Sequence, residues 1–366
     1  MRPEAIEAMA PFFDREYGNP SGAHLLARHA RRAVDDARDQ MAEALGVRPG
    51  EVVFTSGGTE ADNLAVFGAI RRHGGVAVCS AVEHHAVLHP VEALGGRVVP
   101  VDLGGRIDLD ALEAVLDPQV RLVSVMLANN ETGVVQPIDE VATLVRRRAP
   151  RALLHTDAVN AFSWVDVAAV APLVDLVTVS AHKFGGPKGV GVLTVRDGVE
   201  LEPLLLGGGQ ERDRRSGTHN VAGIVAMATA ARLAVEQRAE SVPRLGALRD
   251  RLADSLLSTV ERTYESGSPK LARSAKVAGN CHLLFEGIES ESLLFLLEKE
   301  GVYASAASSC SSGAQEPSHV LAAMGVPRAI AKGSLRLSLG WSTTADDIDT
   351  AIAAIPPAVA RLREFG

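Results

Sequence analysis

Short apolar runs alternate with longer amphipathic stretches through the first two-thirds of the chain. Residues 51–55, 76–79, 98–101, 122–127, 153–156 and 176–180 predict strands, each a short apolar block followed by turn-forming or polar residues. Segments 23–45, 60–70 and 138–148 carry a helical pattern. The unbroken run 122–127 suits a strand covered on both faces. Strands alternating with helices predict an open, largely parallel α/β sheet. In such sheets functional groups gather beyond the carboxyl ends of the strands. Past residue 230 the pattern changes to α+β: a long linking helix over 230–259, a strand over 281–285, a helix over 290–299, a strand over 334–338 and a last helix over 345–365. This places a large domain at 1–240 and a small one at 241–366. No internal repeat is visible.

Composition narrows the class. Hydrophobic residues are 46% and charged residues 22% of 366, which excludes a mostly disordered chain. Aromatics are only 4%, so Ala, Val and Leu must build the core. A net charge of -8 argues against a basic nucleic-acid-binding surface. The three cysteines, Cys79, Cys281 and Cys310, form neither a CxxC pair nor a zinc spacing, so a reducing compartment is expected and a disulfide framework is not. The N-terminus lacks the basic start and apolar run of a signal peptide. The most apolar stretch, 165–181, is broken by Asp166 and Asp175, so no membrane span is expected and a cytoplasmic protein is.

The strand ends hold the candidate chemistry. After 51–55 comes Ser56-Gly57-Gly58-Thr59-Glu60, opening a helix. It reads either as a phosphate cup or as an ordinary glycine turn with a threonine cap. After 122–127 comes Asn129-Asn130-Glu131-Thr132-Gly133, after 153–156 comes Asp157, and after 176–180 come His182 and Lys183. Singly, an Asp at a strand end is a turn residue and a loop Lys is solvated. Together, a carboxylate, a lysine and a phosphate cup at the ends of one sheet are what pyridoxal 5'-phosphate needs. Cys79 and Cys281 fall in predicted strands and read as packing residues. Cys310 instead sits in Ala-Ser-Ala-Ala-Ser-Ser-Cys-Ser-Ser-Gly-Ala-Gln, 304–315, a predicted loop with no large apolar side chain to anchor it.

These residues resemble the NifS/IscS-type cysteine desulfurases, which are class V aminotransferases. The matching motifs are Gly18-Asn19-Pro20-Ser21, 55–63 (TSGGTEADN), Glu83-His84, 129–136 (NNETGVVQ), His155-Thr156-Asp157-Ala158, 180–189 (SAHKFGGPKG), 207–218 (GGGQE…RSGT), Cys310 with Glu316-Pro317-Ser318 downstream, and Arg336-Leu337-Ser338-Leu339-Gly340. The resemblance runs from Arg2 to about residue 362. It implies the aspartate-aminotransferase-like fold of pyridoxal-phosphate-dependent transferases: a large α/β domain around a mostly parallel seven-stranded sheet, and a smaller α+β C-terminal domain. It implies release of sulfur from L-cysteine as a persulfide on Cys310, leaving L-alanine.

The roles carry over by position. Lys183 matches the lysine that bonds the cofactor, Asp157 the partner of its pyridinium nitrogen, and His84 the imidazole stacked on its ring and placed to shuttle a proton. Gly58, Thr59, Ser180 and His182 match phosphate-side ligands. Thr218 matches a threonine reaching the phosphate across a dimer interface, which implies a homodimer. Asn130 matches a residue beside cofactor and substrate, and Arg336 the clamp on the substrate carboxylate, a bidentate role that suits Arg. Cys310 matches the sulfur-accepting nucleophile and, by resemblance alone, a transient iron–sulfur ligand. The expected partners are L-cysteine and a sulfur-acceptor protein such as an iron–sulfur scaffold, with no nucleic acid or membrane.

Three positions depart from the family pattern. The chain begins Met1-Arg2-Pro3-Glu4 where the family has a short strand and a Thr-Pro turn lining the pocket, so either a misplaced start or a differently completed pocket is expected. Asn160 stands where Gln usually meets the cofactor's phenolate oxygen, and Trp341 stands where a basic residue is common. Two other readings remain at this point: another pyridoxal-phosphate enzyme, such as a lyase or aminotransferase, and a non-catalytic scaffold of the same fold. Cys310 separates the first of these from sulfur transfer, and Lys183 with Asp157 speaks against the second.

Overall fold

The computed structural model describes residues 1–267, 269–306 and 318–365; Cys310 lies outside the described residues. The chain divides into two compact units. The first holds 1–99, 109–127 and 136–238; the second holds 100–108, 128–135 and 239–366. Two early segments thus belong to the second unit, which a single boundary near 240 does not capture. Asn130 is in one of them.

The first unit is built on a seven-stranded sheet: β1 (Val52–Thr55), β2 (Val76–Ser80), β3 (Arg97–Val99), β4 (Val120–Ser124), β5 (Leu153–Asp157), β6 (Leu176–Ser180) and β7 (Gly191–Val195), in the order β1-β7-β6-β5-β4-β2-β3. The pairs β2–β3, β2–β4, β4–β5 and β5–β6 are parallel, while β7 runs antiparallel to β6 and β1. The apolar run predicted at 122–127 ends its pairing as a strand at Ser124. Beyond it, Val125 N–H still reaches the His155 carbonyl at 3.1 Å and Leu127 N–H the Asp157 carbonyl at 2.8 Å. The pattern does not reveal β7. It is short and follows a glycine-rich turn, yet all five of its residues are buried.

The low aromatic content shows in how the sheet is covered. Helix Gly58–His73 lays Ala61, Ala65 and Ala69 against it, with helix His85–Ala93 adding Val87, Leu88 and Val91. Alanines four apart share one helix face and admit close approach. Arg38 and Glu211 cover the outer edge of β1. Arg38 donates to the Val52 carbonyl at 2.7 Å, and Glu211 accepts from Phe54 N–H at 2.9 Å. Main-chain groups that would otherwise invite another strand are thereby paired.

The second unit carries a three-stranded antiparallel sheet, β10-β9-β8, formed by β8 (Thr263–Glu265), β9 (Asn280–Phe285) and β10 (Ser334–Ser338). Helices Ser290–Lys299 and Ala345–Phe365 pack on each other and end where their sequence pattern ends. Among the described residues no helix is long and apolar enough to cross a membrane.

Candidate active site

β1 ends at Thr55, and the chain turns through Ser56 and Gly57 into helix Gly58–His73. Gly57 has φ 149°, a backbone region that glycine enters most easily. A Cβ on Gly58 would stand 2.9 Å from Val159 Cγ2 and 3.5 Å from Ser180 Cβ. A Cβ on Gly191 would stand 2.7 Å from the Gly57 carbonyl carbon. The turn is therefore bare backbone packed between the ends of β5, β6 and β7. It opens the N-terminus of a 16-residue helix, where free N–H groups and the helix dipole suit an anion. Ser56 N–H is spent on Glu60 Oε2 at 2.8 Å, and Arg215 holds the same carboxylate at 2.7 Å.

Three further strand ends bring chemistry to this turn. Asp157, the last residue of β5, is 4% exposed and accepts from Val159 N–H at 2.8 Å. Burial pushes its carboxyl up, against the pull of His84 and Lys183. Ser180, the last residue of β6, lies 2.9 Å from His182 Nδ1. Lys183 is exposed in the turn that follows. His84 caps helix His85–Ala93, its Nδ1 accepting from Ala86 N–H at 3.1 Å. The neutral ring therefore carries its proton on Nε2. Burial holds its pKa down, with Lys183 adding to that and Asp157 opposing it. Arg2 supports the Lys183 turn from behind: Nε donates to the Phe184 carbonyl at 3.3 Å and Nη1 to Gln237 at 2.8 Å.

The first unit thus brings together Gly58, His84, Asp157, Ser180, His182 and Lys183. Thr59 is exposed on the same turn, and Asn160 is half-buried three residues past Asp157. Thr218 is exposed and makes no hydrogen bond among the described residues of its own chain.

Beneath these groups lies a buried layer that the sequence reading did not single out by role. His155 is wholly buried on β5, with Nδ1 at 2.8 Å from Ser124 Oγ and Nε2 at 3.0 Å from Thr178 Oγ1. Burial lowers its pKa to about 3, so it is neutral at physiological pH. Asp62 Oδ1 stands 3.6 Å from His155 Nε2, and burial holds the Asp62 carboxyl well above the usual range. Glu83 is also buried, accepts from Met126 N–H at 2.7 Å, and is raised for the same reason. The available signal was a polar residue inside an apolar strand or helix face, which local patterning alone reads as noise.

In the second unit, Asn129 Oδ1 accepts from Glu131 N–H and Thr132 N–H, both at 2.9 Å, forming an Asx turn. Gly133 completes it at φ 77°. The turn presents the Asn130 carbonyl to Arg336 Nη1 at 3.3 Å. Arg336 Nε is buried without a hydrogen-bond partner, and the guanidinium makes no ion pair among the described residues. Cys79 and Cys281 are both buried, burial pushes both thiols up, that of Cys281 to about 12, and neither suits a nucleophile. Among the described residues no cluster of His, Cys, Asp or Glu could hold a metal ion.

The first-unit groups fit pyridoxal phosphate. A glycine cradle at a helix N-terminus would take the phosphate, a buried carboxylate the ring nitrogen, and an exposed lysine the aldehyde. The comparisons with known proteins point the same way. The family profile for class-V aminotransferases matches residues 1–350. The chain is 43% identical over 373 residues to the cysteine desulfurase IscS of Methanosarcina thermophila, covering 100% of this chain and 91% of that one. Among solved structures, a NifS-like protein superposes with a TM-score of 0.90 at 34% identity, over 99% of this chain and 97% of that one. SspA in complex with cysteine superposes at 0.79 and 29% identity, over 93% and 95%. The ordered motifs, the strand-end chemistry and the whole-length likeness agree, and the chain belongs to the NifS/IscS-type cysteine desulfurases of the class-V aminotransferase family.

Proposed function

We propose that this chain takes sulfur from L-cysteine, releases L-alanine and holds the sulfur as a persulfide on Cys310 for transfer to an acceptor protein. The observation that carries the reading is the assembly in one unit of the Gly57–Gly58 cradle, buried Asp157, His84 and exposed Lys183. Bound pyridoxal phosphate supplies an electron sink for the substrate α-carbon. Asp157 would pair with the ring nitrogen and hold a proton there. Lys183 would hold the cofactor aldehyde, and its Nζ would take the substrate α-proton. The Arg336 fork binds the substrate carboxylate. His84 offers the proton on Nε2, because its Nδ1 is committed to Ala86 N–H. The Cys310 thiolate attacks the substrate sulfur. An S–S bond forms, the substrate Cβ–S bond breaks with its electron pair moving to carbon, and alanine is completed by one proton delivered to Cβ and the α-proton returned to Cα.

The SspA–cysteine structure supports L-cysteine as substrate. Exposed Thr218 supports a homodimer in which this threonine serves the partner protomer's phosphate site. An iron–sulfur scaffold is the leading acceptor, and the cytoplasm the setting. The deciding experiment is Cys310→Ser. Serine cannot carry a persulfide, so alanine and sulfide production should stop while visible cofactor absorbance persists. Wild-type rates in this variant would reject sulfur transfer in favour of other pyridoxal-phosphate chemistry.

A further inference from the structure

Glu131 sits one residue past Asn130, 5% exposed, in the turn that presents its backbone to Arg336. Its carboxylate accepts from the Ser318 hydroxyl. That hydroxyl oxygen accepts in turn from Val320 N–H at 3.1 Å and Leu321 N–H at 3.2 Å, so its own proton is directed at Glu131. Among the described residues, the charged and titratable groups around Glu131 are few. Arg336, on β10, donates to the neighbouring Asn130 carbonyl at 3.3 Å and attracts the Glu131 carboxylate through space. On β9, Asn280 is neutral and donates to the Asn130 and Glu131 carbonyls at 3.0 and 3.4 Å. His282, the register partner of Arg336, is buried with a pKa near 3 and is neutral. The Lys276 ammonium is committed to Glu265 at 2.9 Å and the Ser266 carbonyl at 2.6 Å. His319 is half-buried beside Ser318.

A single half-buried guanidinium, its Nε without a partner among the described residues, therefore has two claimants: the Glu131 carboxylate by charge, and an incoming substrate carboxylate. We propose that Glu131 is a positioning residue whose proton is linked to substrate binding: neutral Glu131 leaves the Arg336 charge to the substrate carboxylate, and ionised Glu131 opposes it. This rests on the reading of Arg336 as the carboxylate clamp. Two anions beside one cation in a water-poor site cannot both be well compensated. By linkage, substrate that binds better to the protonated form also raises the affinity of Glu131 for its proton, by the same factor. Burial already pushes the Glu131 carboxyl up to about 7, with Ser318 and Arg336 holding it back, so the exchange falls where the enzyme works.

The test compares the holoenzyme with Glu131→Gln and Ser318→Ala. KM for L-cysteine is measured through the pH range around the Glu131 midpoint, as the ratio of wild type to Glu131→Gln. Substrate ionisation cancels in that ratio. The ratio should rise above the midpoint by up to about tenfold per pH unit, the limit for one linked proton. Ser318→Ala removes a donor to the charged form, so its rise should begin at higher pH. Carbon-13 NMR of the Glu131 carboxyl provides a readout independent of turnover: saturating L-alanine should move its midpoint upward. A flat ratio together with a midpoint indifferent to L-alanine overturns the proposal. Should Glu131→Gln fail to fold, the NMR titration of wild type and Ser318→Ala decides. Absence of sulfur release at any pH would count against the functional reading instead, and the L-alanine titration would still decide the linkage.

Discussion

Glu211 in the first unit and Glu131 in the second are each 5% exposed, yet burial leaves them in opposite states. The Glu211 carboxyl falls to about 2 and that of Glu131 rises to about 7. Glu211 accepts from Arg38 at 2.6 and 2.8 Å, from Phe54 N–H at 2.9 Å and lies 2.7 Å from His219 Nε2. Among the described residues, the Glu131 carboxylate has one hydroxyl and one guanidinium acting through space. Burial penalises both charges. The number of donors and cations aimed at each decides which way the balance tips. Glu211 is a staple. It holds 211–213, three consecutive non-glycine residues at φ 50°, 59° and 63°, against the edge of β1. Such a run costs free energy and persists only where its surroundings over-determine it. Glu131 is poised instead to change state.

The largest effect should come from breaking the staple. Glu211→Ala leaves the Arg38 charge, 9% exposed at its side chain, buried without its partner. A loss of about 3–5 kcal/mol in denaturant unfolding is expected. A loss below about 1 kcal/mol would erase the contrast. The same pair gives a signed pH dependence. The folded pKa of Glu211 is depressed to about 2, so its contribution is fully present above the unfolded carboxyl range. It is lost as pH falls from about 5 toward 2. Acid unfolding of Glu211→Gln should lack that component.

Next in size is the proposed clamp on the substrate carboxylate. Arg336→Ala should raise KM for L-cysteine by about 10- to 100-fold, the worth of charge-assisted hydrogen bonds to one carboxylate. Cofactor absorbance should be retained, since Gly58, His84, Asp157 and Lys183 belong to the other unit. An unchanged KM would move the carboxylate clamp elsewhere. The smallest effect sharpens the comparison most. Glu131→Gln keeps an acceptor for Ser318 and removes only a charge that the site compensates poorly. Its stability at neutral pH should stay within about 1 kcal/mol of wild type. A loss as large as that of Glu211→Ala would make Glu131 a second staple.

Local patterning determined much of this molecule. The helices at 138–148, 290–299 and 345–365 and the strand at 176–180 are legible because periodicity within one segment records which face is buried. The ordered strand-end motifs carry the family and its chemistry, because Lys183, Asp157 and the Gly57–Gly58 turn each follow a readable strand. Tertiary structure alone decided what depends on neighbours distant in sequence. β7 enters the sheet between β1 and β6, and 128–135 leaves the first unit for the second. His155 is satisfied by hydroxyls on two flanking strands, and two equally buried glutamates part ways. Sheet order, buried hydrogen bonding and the charge state of a carboxyl are set by what packs against a residue, and no window along the chain contains that information.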